Sequence, residues 1–273
     1  MKFLIKITFN NFICAFSLLV FSFFNFAYGD DNINFYSDKG LQMLNQSQFK
    51  NDFYQLVNFY QPQINPLYCS VATAVILLNA THQNGKISIQ KANKITSSSN
   101  LISVDNFHFY SQLNFLNDKT DKIKKREIIN LQAAAGIKNG EEFFDAGLSL
   151  NDFSKILTQV YDFKVQKNHV ENNNQKSLQK FRQDLKKYLS DSKNFIVVNF
   201  DGRIVENGTK GHFSPLAAYD EVADSVLVLD VALHKTTWYW VDLEKLFQAM
   251  NTKDGNYYRG YLVISFSNRA SKN

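Results

Sequence analysis

Cysteine is nearly absent from this chain of 273 residues, which has only Cys14 and Cys69. Cys14 lies in an N-terminal segment that we expect to be removed, which leaves Cys69 as the single thiol. One thiol excludes an internal disulfide and a metal cage of several thiolates. In an exported chain, an unpaired cysteine instead indicates a reactive thiol or an intermolecular bridge.

Other absences narrow the class of protein further. The five histidines show no His-x-x-x-His spacing, so a zinc site has little support. The formal net charge is only +5, and the basic residues are scattered rather than gathered in an arginine-rich stripe. Nucleic acid is therefore not an expected partner. The chain also has no internal repeat and no glycine-rich phosphate-binding loop.

The first 29 residues have the pattern of a signal peptide. Lys2 and Lys6 precede an apolar run from Phe12 to Phe26, and Ala27-Tyr28-Gly29 forms a small-x-small cleavage site. The alternative is an uncleaved anchor, but the run is short for a membrane span and is broken by polar residues. We predict that residues 30–273 form a single domain, secreted or periplasmic, with no stable membrane insertion after cleavage.

Hydrophobic patterns predict helices in the first part of the domain. Val71 to Ala80 is apolar around much of its circumference, which indicates a buried central helix directly after Cys69. Ser149 begins a capping-box pattern, and Ser177 is a candidate cap for another amphipathic helix. Before Ser149, the segment Lys86 to Lys125 is rich in Ser, Asn, Asp and Lys and is interpreted as a surface insertion with a small amphipathic element.

Short β-branched and aromatic runs follow, and they predict an antiparallel sheet interrupted by a helix at Leu243 to Met250. The predicted strands are Phe195 to Phe200, Ser225 to Val231, Thr236 to Val241 and Tyr261 to Phe266. Helices first and a sheet afterwards predict an α+β fold, with the leading helix packed on the sheet.

Three residues in these elements suggest thiol chemistry. At a helix N-terminus, free backbone N–H groups and the helix dipole would stabilise the thiolate of Cys69. His212 opens a predicted strand and would accept the thiol proton, while Asp230 interrupts an apolar run and would orient the imidazole. Taken singly, the alternatives are a core cysteine, a turn histidine and a strand-end aspartate. Together, their order is the layout of thiol proteases.

Five motifs extend this layout: Gln63-x-x-x-x-Tyr68-Cys69, Leu78-Asn79-Ala80, Gly211-His212-Phe213-Ser214-Pro215-Leu216, Leu229-Asp230-Val231 and Arg259-Gly260-Tyr261. Over roughly Gln46 to Phe266 they resemble phytochelatin synthase in its short bacterial form. The resemblance implies a papain-like cysteine peptidase fold and an attack on the Cys–Gly amide of glutathione. Glycine leaves, a γ-glutamylcysteinyl thioester remains, and water or a second glutathione then takes the acyl group.

The resemblance also implies catalytic roles. Cys69 is the nucleophile, His212 the general base and then acid, and Asp230 the orienting acid. Gln63 would donate its side-chain amide to the oxyanion, beside the backbone N–H of Cys69. The alternative for Gln63 is a loop amide bonded to its own backbone.

For the substrate, the resemblance implies Asp254 for the γ-glutamyl ammonium, Arg259 for its carboxylate, and Gly211 as a further binding residue. The alternative for the charged pair is an ordinary surface salt bridge. No tightly bound cofactor is expected, and Cd²⁺ or Zn²⁺ would act as activators or enter as glutathione thiolates. The sequence leaves a homodimer open.

The sequence departs from the family pattern at three places. Leu233-His234-Lys235-Thr236-Thr237 stands where the family generally has Arg and then Lys-Tyr-Pro-Pro, Asp201-Gly202 replaces Leu-Arg, and Ser70 replaces a glycine. The lost arginines weaken a second-substrate site, so hydrolysis is expected over peptide synthesis. The alternatives are another papain-like amidase acting on a γ-glutamyl or other peptide, and a non-catalytic thiol-binding or metal-binding protein.

Overall fold

The computed structural model describes residues 32–81, 110–129, 135–138, 141–144 and 147–266, all within one compact unit. The helices are α1 (Asp38–Gln46), α2 (Asn51–Leu56), α3 (Cys69–Ala80), α4 (Arg126–Ile129), α5 (Leu150–Gln159), α6 (Gln175–Tyr188) and α7 (Leu243–Met250). The strands are β1 (Ile33–Asn34), β2 (Ala135–Lys138), β3 (Glu141–Phe144), β4 (Lys164–His169), β5 (Asn194–Asp201), β6 (Gly211–Asp220), β7 (Ser225–Val228), β8 (Tyr239–Asp242), β9 (Lys253–Asp254), β10 (Tyr257–Tyr258) and β11 (Gly260–Ser265). The predicted signal peptide lies outside the described residues.

A seven-stranded sheet organises the described part of the chain. Its order is β1-β8-β7-β6-β5-β11-β4, and every neighbouring pair is antiparallel. Every residue of β5 is buried, as is every residue of β6 except Gly211. The predicted α+β class with an antiparallel sheet is therefore confirmed.

The central helix α3 packs against one face of this sheet. All twelve of its residues are buried, because its apolar side chains contact neighbours around the whole circumference. On the sheet, the side chains of Phe195, Val197 and Phe213 belong to the same core. The opposite face is covered by α6 and α7, with Phe181 and Phe247 at their contact. Each large side chain buried in this way contributes roughly 1.5–3 kcal/mol.

Several side chains of residues 110–129 belong to the core, so the described end of Lys86 to Lys125 is anchored there and is not a purely surface insertion. Tyr110, Phe115 and Leu116 are buried, and the ring of Phe115 stacks on Tyr161 at 4.9 Å. The side chain of Asn79 in α3 also bonds both backbone groups of Tyr110, at 3.0 and 2.9 Å. Composition failed here because a few apolar residues anchor an otherwise polar segment. The part of the insertion before Tyr110 lies outside the described residues.

Local signals predicted the start of α5 correctly and the start of α6 three residues too late. The capping box at Ser149 is present, with the Asp152 backbone N–H donating to the Ser149 hydroxyl. The cap of α6 is Asn174 rather than Ser177, because the Asn174 side chain accepts from the Ser177 backbone N–H and so starts the helix earlier.

Strand ends were predicted less well than helix ends. The strand predicted over Ser225 to Val231 ends at Val228, so Asp230 lies beyond it rather than inside it. Pairing stops because the Asp230 carboxylate accepts the Ala232 backbone N–H and turns the chain. The strand predicted over Thr236 to Val241 begins only at Tyr239.

None of the helices among the described residues combines the length and the apolar character needed to cross a membrane.

Candidate active site

A short turn positions the candidate nucleophile, Cys69, as the first residue of α3. The backbone N–H of Tyr68 donates to the Asn65 carbonyl, and the Asn65 side chain accepts from the Leu67 N–H, each at 2.9 Å. The chain then enters the helix, where the Ala72 N–H donates to the Tyr68 carbonyl at 2.7 Å. The first-turn N–H groups of a helix have no intrahelical acceptor, so this terminus offers Cys69 a positive local potential. Cys69 is a free thiol and is 8% exposed.

His212 and Asp230 form a buried ion pair next to this thiol. The Nε2 atom of His212 lies 2.8 Å from Oδ1 of Asp230. Burial alone lowers the pKa of His212, but the charge and hydrogen bond of Asp230, with a further hydrogen bond to Cys69, raise it to about 10. The imidazole therefore remains protonated at neutral pH and lies beside Cys69 as a cation.

The imidazole orientation follows from its remaining contacts. The hydroxyl of Ser214 lies 3.1 Å from Nε2 of His212, the same nitrogen that Asp230 contacts. The Val231 backbone N–H in turn donates to the Ser214 hydroxyl at 3.4 Å. The His212 side chain is also hydrogen-bonded to Cys69. The three predicted catalytic residues are thus brought together in one chain of hydrogen bonds.

Sequence reasoning missed two residues that hold the Asp230 carboxylate. Oδ2 accepts from Nδ2 of Asn207 at 2.9 Å and from the Tyr239 hydroxyl at 3.2 Å, while Oδ1 accepts from the Ala232 N–H at 2.8 Å. Burial favours the neutral acid, but the charge and hydrogen bond of His212, with these donors, hold the Asp230 pKa below its usual value. No local sequence pattern marks Asn207 or Tyr239, because each meets Asp230 only through the fold.

Gln63 lies on the loop that leads into Cys69. Its backbone N–H donates to the Val231 carbonyl at 2.8 Å, which ties the loop to the segment carrying the acid. Its side-chain Nε2 donates to the carbonyls of Asn65 and Pro66, both at 3.0 Å. Both amide hydrogens are therefore engaged with the loop itself. Donation to an oxyanion stays a prediction, and it requires the release of one of these bonds.

Arg259 and Asp254 form an ion pair near the start of β6. Nη2 of Arg259 lies 3.7 Å from Oδ1 of Asp254, and Nη1 donates to the Lys253 carbonyl at 2.5 Å. Arg259 is 9% exposed, and its buried Nε atom has no partner among the described residues. The guanidinium lies against Gly211, where an added Cβ would be 2.6 Å from Nη2. All three predicted substrate-binding residues are therefore contiguous, and Gly211 joins them to His212.

A second ion pair involves Asp201, the residue opposite Gly211 on the neighbouring strand. The Asp201 carboxylate accepts from Nε of Arg203 at 2.9 Å and from Nη2 at 2.5 Å. Hydrogen bonding to Arg203 lowers the pKa of Asp201, and the charge of Arg259 contributes to the same shift. The region of Gly211 thus has two ion pairs, Asp254 with Arg259 and Asp201 with Arg203.

The arrangement is suited to nucleophilic acyl transfer. A thiol, an imidazole and an orienting carboxylate activate a nucleophile and then protonate a leaving group. Among the described residues, no group of three or more His, Cys, Asp or Glu side chains is arranged to hold a metal ion.

Comparison with known proteins gives the family. A family model described as phytochelatin synthase matches residues 25–261. The chain belongs to the phytochelatin synthase family. Its curated relatives include glutathione gamma-glutamylcysteinyltransferase 3 of Lotus japonicus, 27% identical over 80% of this chain and 38% of that protein. Glutathione gamma-glutamylcysteinyltransferase 1 of Arabidopsis thaliana is 26% identical over 87% of this chain and 42% of that protein.

This phytochelatin synthase family member spans about two fifths of the length of those two relatives. A shorter match links it to glutathione gamma-glutamylcysteinyltransferase of Schizosaccharomyces pombe, 30% identical over 90 residues. The matches to the two plant proteins each cover at least four fifths of this chain, so they include both Cys69 and His212.

Proposed function

We propose that this protein is an exported cysteine peptidase that cleaves the Cys–Gly bond of glutathione and releases glycine and γ-glutamylcysteine. The observation that carries the proposal is the hydrogen-bonded chain from Cys69 through His212 to Asp230 at the N-terminus of a buried helix. The relatives' names, which refer to transfer of a γ-glutamylcysteinyl group from glutathione, support the substrate. A papain-like fold is proposed because helix α3, which carries the thiol, packs on the sheet from which His212 comes.

The first step is acylation of Cys69. The thiolate attacks the carbonyl carbon of the Cys–Gly amide, and the negative charge moves to the carbonyl oxygen. The N-terminal turn of α3, beside Gln63, is the proposed site of that oxyanion, since donors held in place before the reaction stabilise the developing charge. His212 donates its proton to the departing glycine nitrogen, so the C–N bond breaks and a thioester remains.

The second step is hydrolysis. The neutral His212 takes a proton from water, and the hydroxide oxygen attacks the thioester carbonyl. Collapse of this intermediate releases γ-glutamylcysteine, and the imidazolium–thiolate pair is restored. Asp230 does not transfer a proton, since its lowered pKa and its donors keep it ionised throughout. Its role is to hold the tautomer and the orientation of the ring.

Arg259 and Asp254 are proposed to bind the γ-glutamyl end of the substrate. This end carries a carboxylate and an ammonium on one carbon, and the two charges match a guanidinium and a carboxylate side by side. The direct contact of the pair is long, at 3.7 Å, so stronger contacts with the substrate charges can replace it. The buried Nε of Arg259 then gains an acceptor that it lacks among the described residues.

Hydrolysis is proposed over phytochelatin synthesis. Water needs only the acyl site, whereas a second glutathione needs its own binding groups. Asp201-Gly202 and Leu233 stand where the family generally has arginines, and the Leu233 side chain is exposed and apolar. Heavy-metal ions are proposed to enter as glutathione thiolates or as activators, and the domain over residues 30–273 is proposed to act in the periplasm or outside the cell.

The test is incubation of the purified protein with glutathione, with and without Cd²⁺ or Zn²⁺, followed by mass spectrometry. We expect glycine and γ-glutamylcysteine in equal amounts and little or no (γ-Glu-Cys) oligomer. A Cys69→Ala variant should release no glycine. Intact glutathione at high protein concentration would contradict the proposed substrate, and long oligomers would contradict the preference for water.

A further inference from the structure

We propose that Gln112 is a positioning residue for catalysis, because its side chain holds the loop that carries Gln63 into the active site. Gln112 is 3% exposed, although it has a polar amide. Burial of an amide is costly unless its atoms are hydrogen-bonded. Among the described residues, the hydrogen bonds of the Gln112 side chain all go to one short loop, residues 61–64, which lies 48 to 51 positions away in the sequence.

The side-chain amide of Gln112 forms hydrogen bonds with one side of that loop. Oε1 accepts from the Ile64 backbone N–H at 3.0 Å. Nε2 donates to the Pro62 carbonyl at 2.8 Å and to Oε1 of Gln61 at 2.9 Å. Two of these three bonds involve the backbone on either side of residue 63, so the amide fixes the position of Gln63 without touching it.

The opposite side of the loop is held by the segment that contains the catalytic acid. The Gln63 backbone N–H donates to the Val231 carbonyl at 2.8 Å, and the Tyr60 hydroxyl donates to the Asp230 carbonyl at 2.7 Å. Gln112 therefore completes a clamp in which the loop lies between its amide and residues 230–231. Loss of one side would let the loop shift relative to the triad.

The segment with Gln112 is itself fixed to the nucleophile helix. Asn79 of α3 makes two hydrogen bonds with the backbone of Tyr110, two residues before Gln112. The clamp thus links α3, the loop with Gln63 and the segment with Asp230. This positioning role of Gln112 deepens the proposed function, and it rests on that function for the identity of the substrate.

The test replaces Gln112 by methionine, which has a similar size but makes none of the three hydrogen bonds. Gln112→Met should lower kcat for glycine release from glutathione by about 10- to 100-fold, as expected for a shift of catalytic groups by about 1 Å, with little change in KM. Alkylation of Cys69 by iodoacetamide forms no oxyanion and should keep its wild-type rate. Gln166→Met, at an exposed amide of β4, is the matched control and should leave kcat unchanged.

Two further measurements separate positioning from a general structural role. In a Gln63→Ala background, Gln112→Met should lower kcat by less than a further threefold, because both substitutions act through the same loop. The amide of Ile64 should exchange with solvent faster in Gln112→Met, while the amides of β5 should not. Full kcat in Gln112→Met, a parallel loss of alkylation, or fully additive losses would overturn the proposal. If wild-type protein leaves glutathione intact, the proposed function fails, and exchange at Ile64 still decides the clamp.

Discussion

Nε2 of His212 lies 2.8 Å from Oδ1 of Asp230, and the two side chains are buried together. The other carboxylate oxygen, Oδ2, faces Asn207 and Tyr239. Donors thus approach Asp230 on both oxygens. This requires an acceptor on each side, which a carboxylate provides and a neutral amide does not.

Asp230→Asn should therefore lower kcat by about 10⁴-fold, the loss seen when the orienting aspartate of a triad is replaced by asparagine. In one orientation, the new NH₂ group faces Nε2–H of His212. In the other, it faces Nδ2 of Asn207. The measurement is glycine release from glutathione under single-turnover conditions.

The double variant Asp230→Asn/Asn207→Asp is the matched test of this geometry. It restores an acceptor opposite each donor and keeps the net charge, so part of the lost rate should return. Asn207→Asp alone puts two carboxylates side by side and should release glycine more slowly than wild type. Equal rates for the single and double variants would contradict the role assigned to Asn207.

Gly211→Ala tests the link between Arg259, the proposed substrate-binding residue, and His212, the proposed catalytic base. Its Cβ would lie 2.6 Å from Nη2 of Arg259, whose position is fixed by the Lys253 carbonyl. The displaced guanidinium should lose a charged hydrogen bond to the substrate, which raises KM for glutathione by about 10- to 100-fold. Alkylation of Cys69 should be unchanged.

Arg259→Ala supplies the background for the control. If Gly211→Ala acts by displacing Arg259, it should add little to the KM of Arg259→Ala. Independent, multiplying effects on KM would show that Gly211 acts by another route.

The stability of the buried ion pair should depend on pH in a predictable direction. The pKa of His212 is raised to about 10, so the folded state holds its proton more tightly than the unfolded chain. The contribution of His212 to the stability of the fold is complete below about pH 6.5, the ordinary pKa of histidine. It is lost as the pH rises towards 10. For Asp230, whose pKa is lowered, the stabilisation is present above about pH 4 and is lost as the pH falls.

Urea unfolding of wild type and His212→Gln between pH 6 and 10 measures the histidine contribution. The difference in the free energy of unfolding should be largest at pH 6 and should shrink steadily above it. A difference that grows with pH would mean that His212 is neutral in the folded protein.

Asp52 gives a test that does not depend on catalysis. It lies in the first turn of α2, is fully buried, and neither carboxylate oxygen has a hydrogen-bond partner among the described residues. Burial, and then the charge of Asp191, raise the pKa of Asp52 well above its usual value. Because the folded state holds this proton more tightly, Asp52 destabilises the protein as the pH rises above about 4.

Asp52→Asn should therefore be more stable than wild type by about 1 kcal/mol or more at pH 8, and the gain should shrink towards pH 4. Thermal or urea unfolding measures it. Glu171→Gln, at an exposed position, gives the background effect of removing one carboxylate. Equal gains at pH 4 and pH 8 would contradict the proposed cause.

Patterns within one element were sufficient to predict much of the fold. The continuous apolar run gave α3, the capping box gave the start of α5, and helix α7 has the predicted bounds Leu243–Met250. Strand β4, Lys164–His169, was not predicted, because its side chains are mostly polar and partly exposed at the sheet edge. Its register with β11 comes from backbone hydrogen bonds that leave no mark on the sequence.

The candidate site divides in the same way. Cys69, His212 and Asp230 stand in recognisable local contexts, and the fold brings them together. Asn207 and Gln112 were missed because each acts on a residue at least 23 positions away. Amides in such positions look like ordinary loop residues until the partner is known.

The most direct test of the central claim is detection of the acyl-enzyme on Cys69. Wild-type protein is mixed with glutathione, quenched in acid within one turnover, and digested for mass spectrometry. We predict a γ-glutamylcysteinyl thioester on the peptide with Cys69, its accumulation in step with free glycine, and its absence in Cys69→Ala. Glycine release at the wild-type rate from Cys69→Ala, or an acyl group on another residue, would contradict it.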